Sequence, residues 1–197
     1  MNVTKGVRRR LDREQVLSAA EELADREGWT HLTMTALANE LQVTVPALYN
    51  HVPNLEALRG ELQIRTFLAI GAALNRAAMG RSGPTAVRAL AAAFRKFALE
   101  HPGRYDLAMR EPVDPERFEV AALEAGRALW AVIASYGISE DAIELQLSAF
   151  AALHGVLVLE NAGFYPPGVD TEAVYEHVLV MTLGLFDDAT PPELRAS

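Results

Sequence analysis

The sequence predicts an all-α protein with a three-helix N-terminal head and a larger C-terminal helical bundle. Three observations point there. Apolar residues recur three and four positions apart, and no strand-like alternation runs beyond a few residues. Capping residues and Gly or Pro breaks divide the chain into stretches of helical length. The stretch from Leu32 to His51 reads as two short helices across a minimal turn. No repeat or low-complexity tract interrupts this pattern.

The head begins with Lys5, Arg8, Arg9, Arg10 and Arg13 within thirteen positions. Such an arm is either a solvated terminus or a set of arginines that reaches phosphates or a narrow minor groove. Asp12-Arg-Glu-Gln15 has capping-box spacing, and a helix to Glu27 follows with Val16, Leu17, Ala20, Leu23 and Ala24 on one face. Gly28 is placed to end it. Trp29 and Leu32 are apolar anchors for the next pair of helices. Thr33 caps the first of these, whose apolar positions are Met34, Leu37, Ala38 and Leu41. Gln42 and Val43 make the turn. Thr44 is expected to accept a backbone N–H at the start of the second helix, with Pro46 in its first turn. By turn chemistry alone this pair fits a helix-turn-helix, whose second helix enters a DNA major groove, or an ordinary helical hairpin.

His51-Val-Pro-Asn54 ends the second helix, and Asn54 caps a long helix running to Ala78. Its N-terminus is a natural phosphate site beside the preceding helix. Gly80-Arg-Ser-Gly-Pro84 is the clearest break in the chain. The next helix starts at Pro84 and places Val87, Leu90, Ala91, Phe94, Phe97 and Ala98 inward, until His101-Pro-Gly103 stops it. A short helix is expected over Tyr105 to Arg110. Asp114 caps another with Pro115 at its first position, a stripe of Phe118, Ala122, Ala125, Leu129, Val132 and Tyr136, and Gly137 at its end. A long apolar helix is expected from Ser139 to about Gly163. Asp170 or Thr171 then caps a last helix to about Phe186, with a frayed tail after it.

The last two long helices each carry two apolar stripes. On the first, Ile143, Leu147, Phe150, His154 and Leu157 form one, and Ser148, Ala152, Gly155, Leu159 and Ala162 another. On the second, Val174, Val178, Met181 and Leu185 form one, and Tyr175, Leu179, Thr182 and Phe186 another. A surface helix of a monomer needs a single stripe. The second is buried either by the chain itself or by a second copy across a two-fold axis. Terminal helices are seldom central ones, which favours a homodimer through about 139–163 and 170–186.

Half of the residues are hydrophobic, so the chain is not disordered. It has no cysteine, which removes disulfides and thiolate metal sites. The basic start is followed by no apolar run, unlike a signal peptide, and no apolar stretch approaches the ~20 residues of a membrane span. A soluble, cytoplasmic protein without a membrane partner is expected. The net charge of −8 argues against a general nucleic-acid coat protein. Residues 1–65 carry 8 Lys+Arg and 9 Asp+Glu, a net of −1, while the remainder carries 10 and 17, a net of −7. A basic arm on a near-neutral head fits a protein that touches DNA at one end only.

No catalytic constellation, phosphate loop or metal-ligand pair of histidines stands in the sequence, so neither an enzyme nor a cofactor is expected. Phe94, Tyr105, Met109, Trp130 and Phe150 are candidates for the wall of an apolar small-molecule cavity in the bundle. Arg127 and His154 complete the candidate ligand set. For Arg127 the competing role is a rim salt bridge, and for His154 it is core packing or an interface hydrogen bond.

With these parts assembled, the chain resembles the TetR family of transcriptional regulators (TetR/AcrR type). The resemblance is carried by Leu32-Thr-Met-Thr-Ala-Leu-Ala-Asn-Glu-Leu-Gln-Val-Thr-Val-Pro-Ala-Leu-Tyr-Asn-His-Val52, continuing through Asn54-Leu-Glu-Ala-Leu58. It covers residues 12–62. In the body, His101-Pro-Gly-Arg-Tyr105, His154-Gly155 and Glu160-Asn-Ala-Gly163 are similar to segments of the family's sensing domains. The resemblance implies a DNA-binding domain at 1–53 and a ligand-binding and dimerisation domain at 54–197. It implies a homodimeric repressor on a double-stranded palindromic operator, with recognition helices about 34 Å apart, released by a small-molecule effector. The effector must prefer one head spacing over the other by about 1–3 kcal/mol.

Carried over by position, Thr33 and Tyr49 hold phosphates, while Thr44, Val45, Pro46, Ala47 and Asn50 face the groove with His51 at its edge. Thr35 and the Arg8–Arg10 arm complete the DNA-facing set. Gln42 stands where the family usually has glycine, which implies either a strained turn or a different backbone geometry. Leu55 stands where a lysine often meets phosphate, and Thr35 and Ala36 where some members carry a basic residue. Val45 and Ala47 suit thymine methyls, so an operator with A·T-rich positions and a salt dependence carried by the arm are expected. The competing class is an all-helical small-molecule carrier or enzyme that uses the bundle cavity, and a third reading is a helical interaction module without ligand. The Thr33–His51 motif separates them, since an enzyme has no reason to keep it.

Overall fold

The computed structural model describes residues 11–139 and 142–191, and the Arg8–Arg10 arm lies outside them. Every regular element among the described residues is helical. The order is α1 (Arg13–Glu27), a 3₁₀ turn (Trp29–His31), α2 (Met34–Glu40), α3 (Val45–Leu48), α4 (Leu55–Ala78), α5 (Gly83–Glu100), α6 (Pro102–Ala108), α7 (Pro115–Ala134), α8 (Ile143–Asn161) and α9 (Thr171–Ala189).

Local capping chemistry sets most of these boundaries. Asp12 and Gln15 form a reciprocal capping box on α1, and Gly28 ends that helix at φ 85°. The side chains of Thr33, Asn54, Asp114 and Asp170 each accept a backbone N–H three residues on. Three boundaries differ from expectation. The short sixth helix begins at Pro102, because proline fills a first-turn position with no donor to lose. The last helix runs to Ala189, so its end is not frayed at Asp187, and the Thr190 hydroxyl donates to the Phe186 carbonyl at 2.8 Å. The eighth helix is shorter than expected at both ends, and Glu140 and Asp141 before it lie outside the described residues.

The head closes one core from Val16, Leu17, Leu37, Leu48 and Val52, and extends it into the body through Leu58 and Leu62 of α4 and Leu107 of α6. The body has two clusters. One joins α5, α7, Ala149 of α8 and the end of α9, including Val87, Ile133 and Phe186. The other joins α4, α5, α6, α8 and α9, including Phe94, Tyr105, Leu157 and Leu179. α4 and α7 pack closely at Gly71, where a Cβ would lie 2.7 Å from Ala125 Cα. α7 and α8 scarcely touch.

α8 is the exception to the expected absence of span-length apolar stretches. It alone among the described helices is long and apolar enough to span a membrane, a test that a core helix also passes. It packs on α9 and α5, and Arg95 of α5 holds its Glu160 at 2.8 Å.

Candidate DNA-reading surface and effector cavity

The turn of the helix-turn-helix is a Schellman motif. The Gln42 N–H donates to the Asn39 carbonyl at 3.1 Å and the Val43 N–H to the Ala38 carbonyl at 2.9 Å. The motif puts Gln42 at φ 54°, a left-handed position held at a steric cost by a residue with a Cβ. Thr44 does not cap α3, contrary to expectation. Pro46 occupies the second helical position and has no N–H to give. The next donor, Ala47 N–H, goes to the Thr44 carbonyl at 2.9 Å. The Thr44 hydroxyl is thereby left on the outer surface.

Thr33, Thr35, Thr44, Pro46, Tyr49 and Asn50 are exposed, and Val45, Ala47 and His51 are half-buried. Tyr49 is 51% exposed, although an aromatic ring of that size ordinarily packs. The Thr33 hydroxyl accepts from Ala36 N–H at 3.0 Å, so it is tied to the start of α2. Apart from the His51 imidazole, none of these side chains is ionisable below the range of a tyrosine phenol.

A cavity of about 530 Å³ lies in the body between α7 and α8, with α4, α5 and α9 behind it. Of the expected ligand set, Phe94, Met109, Trp130 and Phe150 line it. Gly126 makes room for the Trp130 indole, since a Cβ there would lie 2.5 Å from Nε1. Tyr105 and His154 lie one layer behind the wall. The Phe150 ring stacks on His154 at 5.5 Å, and Phe94 meets Tyr105 edge-on at 5.6 Å. Tyr105 Oη and His154 Nδ1 are 2.7 Å apart. Burial pushes the phenol up and the imidazole down from their ordinary values, which favours the neutral form of both, and the imidazole tautomer sets which of them donates. Asp106 opposes the downward shift of His154 without reversing it.

Arg127 is no part of this cavity. Its side chain is 72% exposed and pairs with Glu124, one turn back on the same helix, at 3.2 Å. An arginine on the outer flank of α7 keeps its hydration, which a buried ligand contact would have to remove. The lining also includes Phe67, Phe118, Leu129, Gln146 and Thr182, which were not among the expected ligand residues. Phe118 and Leu129 belong to the inward stripe of α7, and that stripe was the sequence signal available for them.

One helix joins the two sites. α6 sends Leu107 into the head core while Ala108 and Met109 form cavity wall. At its start, Gly103 lies so close to α1 that a Cβ would fall 1.7 Å from the Ala24 carbonyl oxygen. Asp25 of α1 accepts from the Arg104 backbone N–H at 3.0 Å and from Arg104 Nε at 2.8 Å, and lies 3.0 Å from His101 Nδ1. The Trp29 indole donates to Asp106 at 2.6 Å. The buried Gln63 carboxamide donates to the Leu107 and Glu111 carbonyls and accepts from Val113 N–H, which ties the far end of α6 to α4. These junction residues were missed as functional positions. The partners lie 44 to 79 residues apart, so no local spacing pairs them.

Both parts of the chain match known families. Residues 16–62 match the family described as bacterial regulatory proteins, tetR family, and residues 87–182 match the tetracyclin repressor-like, C-terminal domain. The chain is 40% identical over 181 residues to an uncharacterized HTH-type transcriptional regulator of Mycobacterium tuberculosis, covering 89% of this chain and 82% of that one. It is 30% identical over 151 residues to an uncharacterized HTH-type transcriptional regulator of Bacillus subtilis, covering 76% and 78%. In fold it is similar to a TetR variant from Acinetobacter baumannii AYE crystallised with minocycline, at 22% identity and a TM-score of 0.70, covering 92% and 99%.

Proposed function

The chain belongs to the TetR family of DNA-binding transcriptional regulators, and on that premise we propose that it is a repressor released from a palindromic operator by a small-molecule effector. Residues 1–53 read DNA and residues 54–197 sense and dimerise. The surface around α3, with Thr33, Thr35, Thr44, Val45, Pro46, Ala47, Tyr49, Asn50 and His51, meets the operator, and the Arg8–Arg10 arm adds sequence-independent phosphate contact. The effector occupies the cavity between α7 and α8.

The observation that carries this reading is the seating of α6. One end of that short helix lies directly on α1, and the other forms cavity wall. A molecule that displaces Met109 must therefore move α6 against the head or bind less well. A bias of about 1–3 kcal/mol between the two arrangements is enough for regulation. The minocycline complex of the A. baumannii protein supports the reading, as a fold of this kind holding a small molecule.

Dimerisation is read from α8 and α9. Val158, Leu159, Val180, Met181 and Leu185 are exposed, and Gly155 and Gly184 have open space where a side chain would stand. A second copy placed there buries the stripes that this chain leaves uncovered. In this reading the chain has no enzymatic role.

The experiment is a fluorescence-anisotropy titration of the full chain against DNA from the regions flanking its own gene. One fragment is expected to bind specifically with two protomers per site, and Met181→Asp is expected to weaken that binding by breaking the dimer. Absence of specific binding to every flanking fragment would sink the proposal.

A further inference from the structure

We propose that the effector is an uncharged, ring-rich hydrophobic molecule whose polar group is a hydrogen-bond donor directed at the Thr182 and Gln146 side of the cavity. The inference rests on the reading of this cavity as the effector site. Its walls are aromatic on several sides, with Phe67, Phe94, Phe118, Trp130, Phe150 and Phe186 contributing. A cavity of about 530 Å³ is within the usual range for small-molecule sites of roughly 300–1,000 Å³.

Charge in the lining is confined to Arg110 and Glu119, and both are exposed. Arg110 already holds Asp106 at 2.5 Å. An ionised ligand entering this space would give up its hydration and meet no buried counter-charge. Carboxylates, phosphates, nucleotides and ammonium compounds are therefore poor occupants. Sugars and other polyols are excluded by the same argument, because most of their hydroxyls would face rings and alkyl groups.

Two of the lining side chains are polar and buried. Gln146 is 5% exposed and Thr182 is 1% exposed. The Thr182 hydroxyl donates its hydrogen to the Val178 carbonyl at 2.9 Å. With that proton engaged, the oxygen can only accept from a further partner. A ligand O–H or N–H is the complement to that oxygen, and the Gln146 carboxamide borders the same space from α8.

The test compares two probes that differ by one sulfonate: N-phenyl-1-naphthylamine, which is neutral and carries one N–H, and its anionic analogue 8-anilino-1-naphthalenesulfonate. Both are titrated by fluorescence into the full chain and into Ala122→Trp and Thr182→Val, with operator binding followed in parallel. The neutral probe is expected to bind at one site per protomer, at least about tenfold tighter than the anion, since the anion finds no counter-charge. Ala122→Trp fills the space and is expected to abolish binding, and Thr182→Val to weaken the neutral probe several-fold while thermal stability is retained. Equal or tighter binding of the anion overturns the inference. So does neutral-probe binding that is absent, or that ignores Ala122→Trp. If the neutral probe binds as expected but operator affinity is unchanged, the chemical class stands for the cavity and the effector reading fails.

Discussion

The head and the body use the same kinds of apolar residue to opposite ends. In the head, Val16, Leu17, Leu32, Leu37, Leu48, Leu58 and Leu62 close a single core with almost no exposure. In the body the apolar residues split into two clusters beside a cavity, and Leu123, Ile143 and Leu147 remain exposed where α7 and α8 stand apart. A filled core resists displacement, because any shift opens voids or forces overlap. A core with a void can repack at little cost. The head, which in the proposed function presents a fixed surface to DNA, is packed solid, and the body, which in that proposal responds to an effector, is not. α6 belongs to both, with Leu107 in the solid core and Met109 at the void.

The largest test of this contrast is a pair of truncations. Leu48→Ala in the head should cost about 2–5 kcal/mol, whereas Leu129→Ala, which only enlarges an existing cavity, should cost about 1 kcal/mol. Urea unfolding of the two variants measures both, and equal costs would break the contrast. Next in size is Gly103→Ala. Its methyl group would overlap the Ala24 carbonyl, so a loss of about 2–3 kcal/mol is expected, together with weakened coupling between probe binding and operator release. Full stability and unchanged coupling would remove α6 from its linking role.

A smaller effect concerns acid. Burial lowers the His154 pKa, so in the folded chain the ring resists protonation while in the unfolded chain it does not. Its contribution to stability is therefore present above the unfolded value of about 6.5 and is lost as pH falls through the window below it. Melting temperature should drop between pH 7.5 and 5.5, and drop less in His154→Gln. An identical pH profile for the variant would place the acid sensitivity elsewhere. The smallest effect has the opposite sign. Gln42→Gly relieves the left-handed strain in the helix-turn-helix and should stabilise the head by about 0.5–1 kcal/mol, or roughly 2–3 °C. A lower melting temperature would show that the Gln42 side chain stabilises the turn by more than its backbone strain costs.

Helix boundaries were legible in the sequence wherever a cap and its donor lie within a few residues. Asp12 with Gln15, Thr33 with Ala36, Asn54 with Ala57, Asp114 with Arg117 and Asp170 with Ala173 all pair at a separation of three. The exception is instructive, because Thr44 has the right residue type and spacing, yet the donor three residues on, Ala47 N–H, goes to the Thr44 carbonyl instead of its hydroxyl. The cavity was half legible. Phe94, Met109, Trp130 and Phe150 lie on it, but periodicity could not distinguish a residue facing a void, such as Phe118, from one facing solid core, such as Val132. Arg127, the other α7 residue of the expected set, falls outside it. The rotation of α7 leaves the guanidinium in water beside Glu124.

Backbone hydrogen bonding and capping act over three or four residues, so the all-helical order and most helix starts could be read along the chain. The bolting of α6 to α1, the tie from Gln63 to the end of α6 and the gap between α7 and α8 depend on residues far apart in sequence. Nothing local makes Asp25 a partner for Arg104, or Trp29 for Asp106. Those pairings exist only because packing the helices brings the side chains within hydrogen-bond reach, and that packing decides which apolar stripes meet and which enclose a cavity.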